Sequence, residues 1–132
     1  MLASALSRRL EPKLAITWND DQPIYRQLLT MIISWILDGT YKDGEALPSI
    51  RSIAGNFNVN PLTAAKAYQE LANIKVVERR RGIGLFLRNG ARAKLLRYER
   101  ERFLTEEWPE ILRRMERMNI DPAILVAELG RK

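Results

Sequence analysis

The chain contains no cysteine and no histidine. That double absence removes disulfides, zinc fingers, cysteine nucleophiles, serine–histidine–aspartate triads and histidine general-base chemistry. A metal would have only carboxylates and carbonyls to hold it, and no carboxylate cluster stands out, so no cofactor is expected. Long hydrophobic runs are missing too. The longest, Met31-Ile32-Ile33-Ser34-Trp35-Ile36-Leu37, is far too short to cross a bilayer. Between Met1 and Leu10 the arginines, Arg8 and Arg9, follow the apolar stretch, whereas a signal peptide places its charge first. These absences lead to the expectation of a cytoplasmic protein with no membrane partner.

What is present is positive charge. Lys and Arg number 22 against 16 Asp and Glu, giving a net charge of +6 and a pI of about 10.0. Apolar residues make up 46% of 132 residues, enough for one compact domain or a small domain with an appendage. A basic protein of this size most often meets nucleic acid.

The order of elements can be read from periodicity and punctuation. Residues 1–20 form an arm in which Leu14 to Trp18 reads as a short strand and Asn19-Asp20-Asp21 as a turn. Ile24, Leu28, Ile32, Trp35 and Ile36 recur at helical spacing, predicting a helix from Pro23 to Leu37 that ends at Gly39. Thr40 to Pro48 reads as a loop. Ser49 caps a short helix whose buried face is Ile50, Ile53, Ala54 and Phe57. After the tight connection Asn58-Val59-Asn60, Asn60 is a good N-cap and Pro61 a good first residue for a third helix running to about Ile74. Leu62, Ala65, Tyr68 and Leu71 are spaced for burial on it. Val76-Val77 begins a strand, Arg81-Gly82-Ile83-Gly84 turns, and Leu85-Phe86-Leu87 returns. Two short helices joined by a tight turn are a helix-turn-helix, and the hairpin that follows makes it the winged variety.

Beyond Asn89-Gly90 the composition changes. Residues 91–118 are rich in Arg, Glu and Leu, with Leu95, Leu96, Phe103, Ile111, Leu112, Met115 and Met118 as apolar marks. Pro109 breaks or bends this stretch, with Thr105 as a candidate fresh cap. Asp121 and Pro122 open a last helix ending at Gly130. The expected class is mainly α with a small β-hairpin wing: an arm at 1–20, a winged helix-turn-helix at 21–89 and a short C-terminal helical dimerisation segment at 90–132.

Three readings compete for Glu78-Arg79-Arg80-Arg81-Gly82-Ile83-Gly84-Leu85-Phe86-Leu87. A phosphate loop of an enzyme needs a third glycine or a Lys-Ser/Thr pair and a following helix, and has none of these here. A solvated turn needs only glycines that accept positive φ. A hairpin tip lying against nucleic acid gains from its surroundings. From Ser49 to Arg92 the chain carries eight basic residues and two acids, Glu70 and Glu78, so this segment's surplus equals that of the whole chain. Trp18, Trp35, Tyr68, Phe86, Phe103 and Trp108 would suit a single-strand stacking platform, but their spacing makes most of them core residues.

Several motifs in order then carry a family resemblance. They are Pro23-Ile24-Tyr25-Arg26-Gln27-Leu28, the run from Asp38 to Pro48, Leu47-Pro48-Ser49-Ile50-Arg51, Val59-Asn60-Pro61-Leu62-Thr63, Lys66-Ala67-Tyr68-Gln69-Glu70-Leu71 and Arg80 to Leu87. Over about residues 20–88 the chain resembles the winged-helix domain of the GntR family of bacterial regulators. The start of the third helix and the short tail are similar to the YtrA-type subgroup, whose members are dimeric repressors, often of transporter operons that include their own gene.

The resemblance implies DNA contacts from Ser49 and Arg51 at the second helix, from Asn60, Leu62, Thr63 and Lys66 on the recognition helix, and from Arg80, Arg81 and Gly82 on the wing. Arginine suits guanine because its fork matches O6 and N7. The free N–H groups at the start of the recognition helix favour phosphate. Arg79 and Arg80 alternate sides of their strand, so one of them faces away. Many relatives carry arginine or serine near Pro61 and arginine at Ala65, so their base preference does not transfer. Leu85 stands where the wing often has Thr or Ser. The expected function is a sequence-specific transcriptional repressor bound as a homodimer to a palindromic operator of double-stranded DNA. The protein is expected to be no enzyme. Glu99, Glu101, Glu106, Glu107 and Glu110 interleave with arginines as exposed helix pairs do. The sequence names no effector.

Overall fold

The computed structural model describes residues 18–130. The expected strand from Leu14 to Trp18 and most of the arm lie outside the described residues; Trp18 itself is partly buried against the core. The elements are helices α1 (Ile24–Leu37), α2 (Ile50–Phe57) and α3 (Pro61–Asn73), strands β1 (Val77–Arg80) and β2 (Gly84–Leu87), then helices α4 (Ala91–Arg102), α5 (Trp108–Arg117) and α6 (Pro122–Leu129). A π-helical turn, Phe103–Glu107, lies between α4 and α5. The fold is mainly helical with one antiparallel hairpin. The chain divides into two compact units, the first ending at Leu95 and the second beginning at Leu96.

In the first unit, α1, α2 and α3 close around a core of Leu28, Ile32, Ile36, Ile53, Phe57 and Leu71, and Val76, Leu87, Ala91 and Leu95 complete it. Pro23 stands just before α1 as its N-cap, one position earlier than expected. The Gln27 side chain fixes the turn in front of it. Its Oε1 accepts from the Asn19 N–H, and its amide donates to the carbonyls of Asn19 and Gln22.

On α3 the buried residues are Ala64, Ala67, Tyr68 and Leu71. Leu62, expected inside, is 78% exposed. The helix has turned its alanines inward, where their small side chains let its backbone approach α1 and α2, and its first turn projects into solvent.

The loop from Thr40 to Pro48 is more ordered than its composition suggests. Gly44 and Leu47 donate to the carbonyls of Leu87 and Leu85, Leu87 donates to that of Glu45, and Ala46 bridges Phe86. β2 is therefore hydrogen-bonded along both edges. Asp43 in this loop caps α4 from a distance: its carboxylate accepts from Gly90 N–H at 2.8 Å and Arg92 N–H at 3.2 Å. The Arg92 side chain in turn donates to the Leu37 carbonyl.

In the second unit Thr105 is not a cap, because its hydroxyl donates back to the Glu101 carbonyl. The backbone stays helical through Arg102 and Trp108. Pro109 has no N–H for the Thr105 carbonyl, and its ring would clash with that carbonyl in a regular helix. Widening the preceding turn to the π form removes the conflict without ending the helix. Phe103 and Trp108 stack across this turn, with ring centroids 6.4 Å apart. Asp121 caps α6 by accepting from Ala123 N–H, as expected.

Candidate nucleic-acid interface

The helix-turn-helix is set by local chemistry. Ser49 Oγ accepts from Ser52 N–H at 2.9 Å and starts α2. Asn58, at φ 53, makes the left-handed turn that ends it, a conformation asparagine tolerates better than most residues. Asn60 Oδ1 accepts from Leu62 N–H at 2.8 Å and starts α3, with Pro61 in the first turn. Tyr68 locks the two helices in place. Its ring is buried, and its hydroxyl donates to the Pro48 carbonyl at 2.5 Å, just ahead of α2. Burial, with Tyr41 adding to it, raises the pKa of this phenol far above the ordinary value of 10.0, so it stays a neutral donor.

The wing follows from register. Val77 pairs with Leu87, Glu78 with Phe86, Arg79 with Leu85 and Arg80 with Gly84. Ile83 N–H closes the turn on the Arg80 carbonyl, and Gly82 sits inside it at φ 76, which a side chain would strain. A groove of about 430 Å³ runs between Ser49 and Ile50 on one side and the hairpin from Arg79 to Leu85 on the other.

This surface brings together Ser49, Arg81 and Gly82 along the groove, while Arg51, Asn60 and Leu62 are exposed at the helix starts. Thr63 is half-buried. Ser49 and Asn60 both serve as N-caps, so each already has a structural task. Lys66 is exposed, with its ammonium 4.0 Å from the centre of the Tyr25 ring, a cation–π contact that holds the side chain against α1. Arg80 is engaged by Glu78 and Phe86. Tyr25, under the Lys66 ammonium, and Arg79, on the groove, were not among the residues expected to contact DNA, although one lies in the Pro23-to-Leu28 motif and the other in the strand whose alternation was read.

Of the aromatics considered for stacking, Trp35 and Tyr68 are buried, Trp18, Phe86 and Trp108 are partly so, and Phe103 is exposed. Among the described residues no group of three or more acids could hold a metal ion. No helix among them is long and apolar enough to cross a membrane.

A helix-turn-helix with a basic hairpin beside it defines the winged-helix class of DNA-binding folds. Residues 24–87 match the family described as "Bacterial regulatory proteins, gntR family", and this segment is a DNA-binding domain of that family of transcription regulators. Over 74 residues it is 36% identical to the HTH-type transcriptional repressor YtrA of Bacillus subtilis, covering 56% of this chain and 57% of that one. A GntR family transcriptional regulator from Listeria monocytogenes superposes with a TM-score of 0.71 at 26% identity, covering 87% of this chain and 99% of that one. BusR of S. agalactiae, solved in complex with its busA-promotor DNA, superposes with a TM-score of 0.57 at 25% identity, covering 81% of this chain and 52% of that one. The match spans a little over half the length of three curated relatives and 13–28% of the length of three longer ones.

Proposed function

We propose that the chain is a dimeric transcriptional repressor that occupies a palindromic operator. Its winged helix reads the DNA and its C-terminal helices pair two copies. The observation that carries the first half is the placement of the charge. The basic surplus lies on the family's DNA-binding unit, with Arg51 at the start of α2 and Arg81 at the wing tip both exposed. The N-terminal turn of α3, with Asn60, Leu62 and Thr63, enters the major groove, and the tip at Gly82 approaches the backbone. Ser49 reaches a phosphate, Lys66 does so by releasing its single contact with the Tyr25 ring, and Arg80 braces the wing through Glu78 and Phe86.

For the second half, Leu104, Met118, Ile124, Leu125, Val126 and Leu129 are all exposed in the second unit. Apolar surface of that extent marks an interaction site. A second copy meets the need, because two winged helices double the sequence that is read. By resemblance to the YtrA-type subgroup, the target is a transporter operon including the regulator's own gene. No catalytic step is involved; blocking a promoter is the mechanism.

The test is selection from a random duplex pool, then titration of the selected DNA beside Arg51→Ala. A palindrome bound at least about 10³-fold better than random duplex, with that preference lost in the variant, supports the proposal. Equal, salt-sensitive binding to every duplex refutes it and points to architectural or RNA-directed binding.

A further inference from the structure

We infer that Arg79, and not its neighbour Arg80, is the wing arginine that holds a phosphate of the DNA backbone. The inference rests on the DNA-binding reading and adds a residue to it.

The two arginines lie on opposite faces of β1. Arg80 shares its face with Glu78 and Phe86, and its cross-strand partner Gly84 leaves that face open. Its Nε and one terminal nitrogen both donate to Glu78 Oε1 at 3.1 Å, and its guanidinium carbon lies 4.1 Å above the Phe86 ring. Reaching for DNA would cost Arg80 an ion pair and a cation–π contact together. Arg79 shares the other face with Val77, which points into the core, and stands opposite half-buried Leu85. It lines the groove beside Ser49 and Ile50, as Arg80 also does, so what separates the two is not position but how each side chain is engaged. Among the described residues no hydrogen bond, ion pair or ring engages it, and no acid lines the groove.

Position favours phosphate over base. β1 ends at Arg80 and the chain turns from Arg81 to Ile83, so Arg79 stands in the strand behind the tip at Gly82. A tip that enters a groove brings the strand behind it to the sugar–phosphate backbone at the groove's edge. An uncompensated guanidinium there takes a phosphodiester, which its fork fits.

The experiment compares the full chain with Arg79→Gln, Arg80→Gln and Arg79→Lys on the selected duplex and on a random duplex, titrated between about 50 and 200 mM salt. Arg79→Gln is expected to lose affinity by the same factor on both duplexes and to flatten the log K against log salt slope by about 0.9, the loss of one phosphate contact. Arg80→Gln is expected to keep the slope, and Arg79→Lys to restore most of it. An unchanged slope in Arg79→Gln, or an equal loss in Arg80→Gln, overturns the inference. A loss confined to the selected duplex overturns it in favour of base reading. Because the random duplex needs no operator, a slope difference there with no palindrome selected sinks the repressor reading alone. Absence of binding to any duplex sinks both.

Discussion

Tyr68 shows how much one hydroxyl decides in a domain this small. Replacing it with Phe leaves the part-buried Pro48 carbonyl without its donor and is expected to cost about 0.5–1.5 kcal/mol, read as a fall in thermal midpoint. The pH dependence has a definite sign. The folded phenol keeps its proton above the ordinary value of 10.0, while the unfolded one loses it. The unfolded state then binds fewer protons, so stability is full below pH 10 and falls as pH rises further. Alkaline melting should be shallower in Tyr68→Phe than in the wild type. Glu99 has the opposite character. Burial raises its carboxyl pKa, Arg102 counters this and Glu107 reinforces it. Its Oε1 lies 3.7 Å from Arg102 and is buried without a hydrogen-bond donor among the described residues. The charged form is therefore the costly one. Glu99→Gln should raise the melting point at pH 7, and the gain should vanish as pH falls below the ordinary value of 4.5. A midpoint lowered at pH 7 would contradict this.

At the scale of elements, what the sequence disclosed was what lies close along the chain. Asn60-Pro61, Ser49 and Asp121-Pro122 mark helix starts because a cap acts within three residues, and each was legible. Pro109 was legible as a disturbance but not in kind, since a proline can be met by a break, a bend or a wide turn. The pairing of Ala46 with Phe86, and the cap that Asp43 places on α4, join residues some forty apart, and no local pattern announces them. That Arg79 and Arg80 alternate sides was legible, but which of them packs on the Phe86 ring needed the strand register. Leu62 was read both as a buried mark and as a DNA contact, because periodicity alone does not say which face of a short helix turns inward; its exposure removes the first reading. Asp43→Ala is expected to cost about 1 kcal/mol, as for a lost N-cap, and to speed amide exchange at Gly90 and Arg92. Unchanged exchange there would show that the cap contributes nothing. Pro109→Ala, by permitting a regular turn, should rotate residues beyond 109 by about 100° relative to 96–102. The expected readouts are higher helicity and weaker self-association.

For the whole molecule, the decisive property is segregation, with the surplus of basic charge on the DNA-binding unit and bare apolar surface on the other, where acids balance the arginines. If a second copy covers that surface, Val126→Asp with Leu129→Asp should give monomers by light scattering that bind a full palindrome no better than a half-site. Dimers surviving the double substitution would move the interface elsewhere. The winged-helix class, its helix starts and its tip were legible because each depends on a few residue types at fixed spacing. The roles of the tail helices were not, because exposed apolar marks read the same whether they pack within one chain or between two.

The strand-like segment at Gly44–Leu47 has a consequence in time. It emerges from the ribosome before its partner strand β2 exists, and bringing the two together closes a loop of some forty residues, a slow step compared with forming helices. The three helices can collapse early, yet Leu87, Ala91 and Leu95 belong to the same core. During synthesis the nascent domain therefore holds an unfinished wing until the start of α4 has left the exit tunnel.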